Sequence, residues 1–181
     1  MPLPIAHQAS SFDLRDRVIV ITGATGGLGR PLAIAAAVAG ATVVLHARIV
    51  RKLEALYDEI SAAGHPEPVI LPLDLAKAEA SDFANIASAL EAQHGRLDAL
   101  IHTAALLGSL GPLEHQSFDS WLALLRVNVA APMGLTRALM PLLHRAPDAS
   151  AARWRRGINA RVRPMGAATF TRKSASQLSN D

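Results

Sequence analysis

The chain predicts an α/β fold, a doubly wound parallel sheet covered by helices on both faces. Three observations carry this prediction. A short apolar run, Val18-Ile19-Val20-Ile21, leads into the glycine-rich stretch Thr22-Gly23-Ala24-Thr25-Gly26-Gly27-Leu28-Gly29 and then into an Ala-rich stretch from Pro31 to Ala39. Strand-like and helix-like segments alternate up to about residue 145. Apolar residues make up 50% of the chain and aromatics only 4%, so alanine and the aliphatics must build the core, which suits helices on a parallel sheet. A chain of 181 residues is long enough for one domain with a sizeable core.

Each element has a local cause. Val18 to Thr22 reads as a buried strand, and Leu28 to Ala39 as a helix stopped by Gly40. Thr42-Val43-Val44-Leu45 is a second strand. From Arg51 to Ala63, apolar residues at Leu53, Leu56, Tyr57 and Ile60 follow a helical period that Gly64 ends. Val69-Ile70-Leu71 is a third strand, closing near Asp74. Ala78 to Gln93 is a helix stopped at Gly95, and Leu97 to Ile101 a fourth strand. After a loop at Gly108 to Pro112, Ser117 to about His144 is one long helical pattern, kinked near Pro132. Strands alternating with helices imply parallel pairing and right-handed crossovers, which gives a Rossmann-like, three-layer α/β/α arrangement.

Composition narrows the function. There are no cysteines, which excludes disulfides, thiolate chemistry and Cys-based zinc sites and fits a cytoplasmic protein. The seven histidines are scattered without metal-ligand spacing, so no metal site is expected. No apolar run reaches the length of a membrane span, and Met1 to Ser11 lacks the pattern of a signal peptide. Charge is uneven. Residues 1–150 hold 11 Lys/Arg against 14 Asp/Glu, whereas 151–181 hold seven basic residues and one acid, so the overall +3 belongs to the tail.

The glycine stretch is a phosphate-binding device by its context. Backbone N–H groups at a helix N-terminus point outward, and the helix dipole favours negative charge there. Glycines permit a turn with positive φ and a close approach of a diphosphate. The spacing is neither G-x-G-x-x-G nor a Walker A loop, because no Gly-Lys-Ser/Thr follows.

With these motifs in order, the region from about 12 to 145 resembles the short-chain dehydrogenases/reductases. Thr22-Gly23-x-x-x-Gly27-x-Gly29 is similar to that family's cofactor loop, and the resemblance implies contacts from Gly23, Thr25, Gly26, Gly27, Leu28 and Gly29. The second strand ends Leu45-His46-Ala47-Arg48. The family's NAD-binding acid would stand at Ala47 and is absent, while a basic residue at Arg48 implies pairing with the 2′-phosphate of NADP. The resemblance places Asp74 on the adenine amino group with Leu75 lining the pocket. It places Thr103, Ala104 and Ala105 along the nicotinamide side, where the family commonly has Asn-Asn-Ala-Gly from position 102 on. His102 reads as a structural residue at a strand end. Asn128, between Val127 and Val129, matches the family's helical Asn that holds a water in a proton relay. By resemblance the strand order is 3-2-1-4.

The family's reaction is hydride transfer between nicotinamide and a carbonyl or alcohol, and it needs a Ser after a fifth strand followed by Tyr-x-x-x-Lys. The chain has one tyrosine, Tyr57, followed four residues on by Ser61, and it belongs to an apolar helical stripe. Nothing after 150 reads as the fifth strand. The sequence therefore divides into a partial dinucleotide-binding domain at 1–150 and a basic tail at 151–181, non-native or disordered. The tail reads either as an out-of-frame ending or as a genuine extension, and nucleic-acid binding through it is the less favoured role. The expectation is NADP binding without useful turnover, an unprotected fourth strand, marginal stability and no family-type homo-oligomer.

Overall fold

The computed structural model describes residues 13–108 and 111–147. The readings made of Met1 to Ser11, of the boundary at 150 and of the tail at 151–181 lie outside the described residues.

Four strands form one sheet: β1 (Val18–Thr22), β2 (Thr42–Ala47), β3 (Val69–Pro72) and β4 (Ala99–His102). Their order is β3-β2-β1-β4 with every pairing parallel, as the resemblance implied. Successive side chains along a strand face opposite sides, so each strand feeds two cores. Ile19, Ile21, Val43 and Leu45 pack with α1 (Gly29–Val38) and α2 (Val50–Ala62). Val20, Val44 and Leu100 pack with α3 (Ala80–His94) and α5 (Ala131–Leu143). The three-layer prediction is thereby met. Each of the first three helices stops within two residues of a glycine in the left-handed region, at Gly40, Gly64 and Gly95.

Two boundaries moved for physical reasons. β4 starts at Ala99, because the amide of Leu97 bonds the carbonyl of Leu142 at 3.1 Å and not a strand. α3 starts at Ala80, where a reciprocal capping box between Glu79 and Asp82 satisfies the first-turn amides.

The predicted long helix needs a larger correction. α4 covers Phe118–Leu125, a π-helical turn covers Arg126–Ala130, and α5 follows directly. The irregularity precedes Pro132 and does not lie at it. Pro132 occupies the first turn of α5, where its missing N–H is tolerated. It cannot donate to the carbonyl of Asn128 four residues back, and the amide of Ala131 bonds the carbonyl of Arg126 instead.

Candidate functional site

The site is built on the C-terminal ends of β1 and β4, where one row of hydrogen bonds fixes two neighbouring turns. The Thr103 amide and hydroxyl both donate to the carbonyl of Thr22, at 3.1 and 2.5 Å. The Ala104 amide donates to the Thr22 hydroxyl at 3.3 Å. Thr103 thus ties the central strands together although the family commonly has Asn there. Ala105 also fits without strain, since the only non-glycine residue with positive φ among the described residues is Asp16.

Three glycines of the turn have three different reasons. Gly23 has φ +69°, and a Cβ there would lie 2.7 Å from the Ala104 backbone. A Cβ on Gly29 would lie 2.2 Å from the Gly23 carbonyl and 2.7 Å from the Thr103 hydroxyl, so Gly29 is needed for space alone. A Cβ on Gly27 would meet nothing within 4 Å. The protein's own packing therefore dictates Gly23 and Gly29 but not Gly27, whose open side is a surface where a ligand could approach the backbone.

The turn is held from below and left open above. Ala24 is buried and its amide donates to the carbonyl of His46 at 2.9 Å; Gly26 donates to Gly23 at 2.9 Å. The amides of Gly27 and Leu28 find no acceptor among the described residues. Leu28 caps α1 without a side-chain hydrogen bond, and the first turn holds no acid. Unsatisfied amides at the positive end of a helix dipole form a site for an anion. Arg30, just inside α1, pairs with Glu59 on the surface.

The remaining predicted residues spread along the strand ends. Arg48 is exposed just past β2, and Asp74 follows β3, the neighbouring strand. Asp74 Oδ1 accepts the Ala76 amide at 3.1 Å, so this carboxylate does cap its own turn, with Oδ2 left over. Leu75 is buried in the core on the α3 side. Thr25 is half-buried and Leu28 half-exposed. Asn128 lies apart from the glycine turn: its amide oxygen accepts the Leu106 N–H and its amide nitrogen donates to the Leu106 carbonyl, both at 2.8 Å. It is a clamp between the π turn and the loop leaving β4. Tyr57 stands on α2, with its ring against the core and its hydroxyl donating to Glu67. No cluster of metal-ligating side chains occurs among the described residues. No helix there is long and apolar enough to cross a membrane.

Sequence reasoning missed two residues of this platform. The sequence places Thr22 at the end of the first strand but gives no sign that its carbonyl and hydroxyl hold three donors. His46 went unremarked, yet its carbonyl anchors the glycine turn. Only the parallel register, which puts Thr22 level with both His46 and His102, exposes their connection.

The family model described as short chain dehydrogenase matches residues 17–152. The chain belongs to the short-chain dehydrogenase family. It is 36% identical over 137 residues to the Escherichia coli oxidoreductase YciK, covering 76% of this chain and 54% of that one. A short-chain dehydrogenase structure from Pseudomonas syringae superposes with a TM-score of 0.73 at 41% identity, over 76% of this chain and 57% of that one. One from Shigella flexneri, complexed with NADP, superposes with a TM-score of 0.73 at 35% identity, over 76% of this chain and 57% of its own. The chain spans about half the length of the curated relatives it matches.

Proposed function

We propose that residues 1–150 form a partial dehydrogenase domain that binds NADP(H) and, as the sequence stands, does not turn it over. One observation carries the binding half: a glycine turn clamped at Gly23 and Gly29 by the protein itself, yet open at Gly27 beside uncapped helix amides. The NADP-bound relative supports the choice of ligand. The backbone from Gly23 to Gly29, with Thr25 and Leu28 beside it, would cradle the diphosphate. Arg48 would pair with the 2′-phosphate through its planar guanidinium, a fork that matches phosphate oxygens. The free oxygen of Asp74 would meet the adenine amino group, with Leu75 beneath it. Thr103, Ala104 and Ala105 would flank the nicotinamide. The dinucleotide supplies hydride chemistry at its nicotinamide when bound. Proton transfer to a carbonyl substrate would need the Ser and Tyr-x-x-x-Lys that the sequence lacks, and Asn128 alone moves no proton.

The test is a fluorescence titration with NADPH beside an NADPH-oxidation assay over a panel of aldehydes and ketones. The expected result is saturable binding with oxidation at background. Arg48→Ala should weaken NADPH about 10- to 100-fold, the range of one charge-assisted hydrogen-bonded pair, and leave NADH nearly unchanged. Turnover above background would overturn the inactive half of the reading. Equal loss of NADPH and NADH on Arg48→Ala would overturn the assignment of the 2′-phosphate.

A further inference from the structure

The imidazole rings of the two buried histidines at the sheet's C-terminal end have no part in the proposed dinucleotide contacts. His46 on β2 and His102 on β4 both pair in register with Thr22 on β1, so the three side chains form one row on the α3/α5 face. The two rings flank Thr22 about 10 Å apart by strand spacing. His46 is 1% exposed and neither ring nitrogen has a hydrogen-bond partner. The carbonyls of His46 and Leu73 lie near that ring without aligned bonds to it. His102 is 6% exposed; its Nε2 meets the Thr136 hydroxyl at 3.0 Å, and its Nδ1 has no partner.

We propose that His46 and His102 make this end of the sheet an acid-sensitive device, in which falling pH favours opened states of the platform under the glycine turn where the rings can take up protons. The geometry supplies the coupling. The His46 carbonyl holds the Ala24 amide, and Thr22, between the rings, holds Thr103 and Ala104. A charge on either ring would be buried without a counter-ion, an arrangement that water entry or local opening must relieve.

No carboxylate on the surrounding elements answers that charge. Asp74 in the turn after β3 and Asp82 on α3 each accept a backbone amide, from Ala76 and Glu79, and neither acts electrostatically on either ring. Glu91 on α3 pairs with Arg145, and Asp98 sits with Arg17 and Arg96 at the opposite end of β4. The cations of α5 and the π turn, Arg137 and Arg126, are exposed. The one titratable group acting on His102 is His46, whose own protonation would oppose that of His102 further.

Burial pushes both rings down to about 4 from an ordinary 6.5. The sign follows from linkage: both rings are neutral in the folded state, and their unfolded counterparts take up protons first as pH falls. The stability contribution is fully present above about pH 6.5 and lost progressively towards pH 4. At pH 5 each ring should raise the unfolding constant about 30-fold relative to pH 8.

The test measures urea unfolding of the full chain from pH 8 to pH 4.5, with imidazole NMR titration of the seven histidines. The His46 and His102 rings should stay neutral to about pH 4–5, and the unfolding midpoint should fall below pH 6.5. His102→Asn and His46→Leu should each remove roughly half of that pH slope. Titration of all seven rings near 6.5 would overturn the proposal in the unsubstituted chain, whether or not the variants fold. An undiminished slope in variants that fold would do the same.

Discussion

α2 and α4 are both amphipathic and have opposite fates. α2 buries Leu53, Leu56 and Ile60 against β2 and β3, each 2% exposed or less. α4 buries no residue fully, and it leaves Phe118 75%, Trp121 44% and Leu125 55% exposed, with Val129 and Met133 continuing the stripe along the π turn and α5. The apolar face of α2 is thus closed by residues within the described fold, whereas the stripe of α4 is left exposed by them. Local sequence pattern cannot distinguish these fates, because amphipathicity says that a face must be covered and not by what.

The largest expected effect follows from that contrast. Leu53→Ala should cost about 2–5 kcal/mol of stability by denaturant unfolding, the range for a fully buried leucine. Leu125→Ala should change it by no more than about 0.5 kcal/mol, as an exposed position. A large loss at Leu125 would mean that α4 is covered in solution and that the comparison fails. Next is Gly29→Ala, which forces a Cβ to 2.2 Å from the Gly23 carbonyl. The turn cannot yield without breaking the bonds that tie Thr22 to Thr103, so a loss of about 3 kcal/mol is expected. Unchanged unfolding would show that the turn is softer than its packing.

At the junction of the two regions stands Asn128. Asn128→Ala strips both partners from the Leu106 backbone and should cost about 1–3 kcal/mol, with faster hydrogen exchange at the Leu106 amide. Unaltered exchange there would mean that the clamp does not hold the loop in solution.

Most of the sheet was legible in the sequence because parallel strands are buried on both faces and read as continuous apolar runs. Val18–Thr22 and its glycine turn are the plainest case. The break in the long helix was misplaced because Pro132 was treated as a kink in its own right. A proline in a helix's first turn is compatible with that helix, and the strain appears one turn earlier, at the carbonyl left without its donor. At the site, the glycines were legible as a group but not individually. Sequence cannot tell Gly29, where a Cβ would strike the Gly23 carbonyl and the Thr103 hydroxyl, from Gly27, where it would meet nothing. His46 was illegible for the same reason, since its place beside Thr22 exists only once the strands are in register.

The smallest expected effect on stability is the sharpest test of the site. Gly27→Ala places a methyl group in open space at a backbone angle any residue adopts, so unfolding should shift by no more than about 0.5 kcal/mol. Its effect on NADPH should be much larger, because a Cβ there stands where the diphosphate would meet the backbone. A loss of affinity of about tenfold or more with unchanged stability would separate the glycine that the ligand requires from the two that the fold requires. Equal affinity would place the diphosphate elsewhere, and the open side of the turn would then need another explanation than the nucleotide.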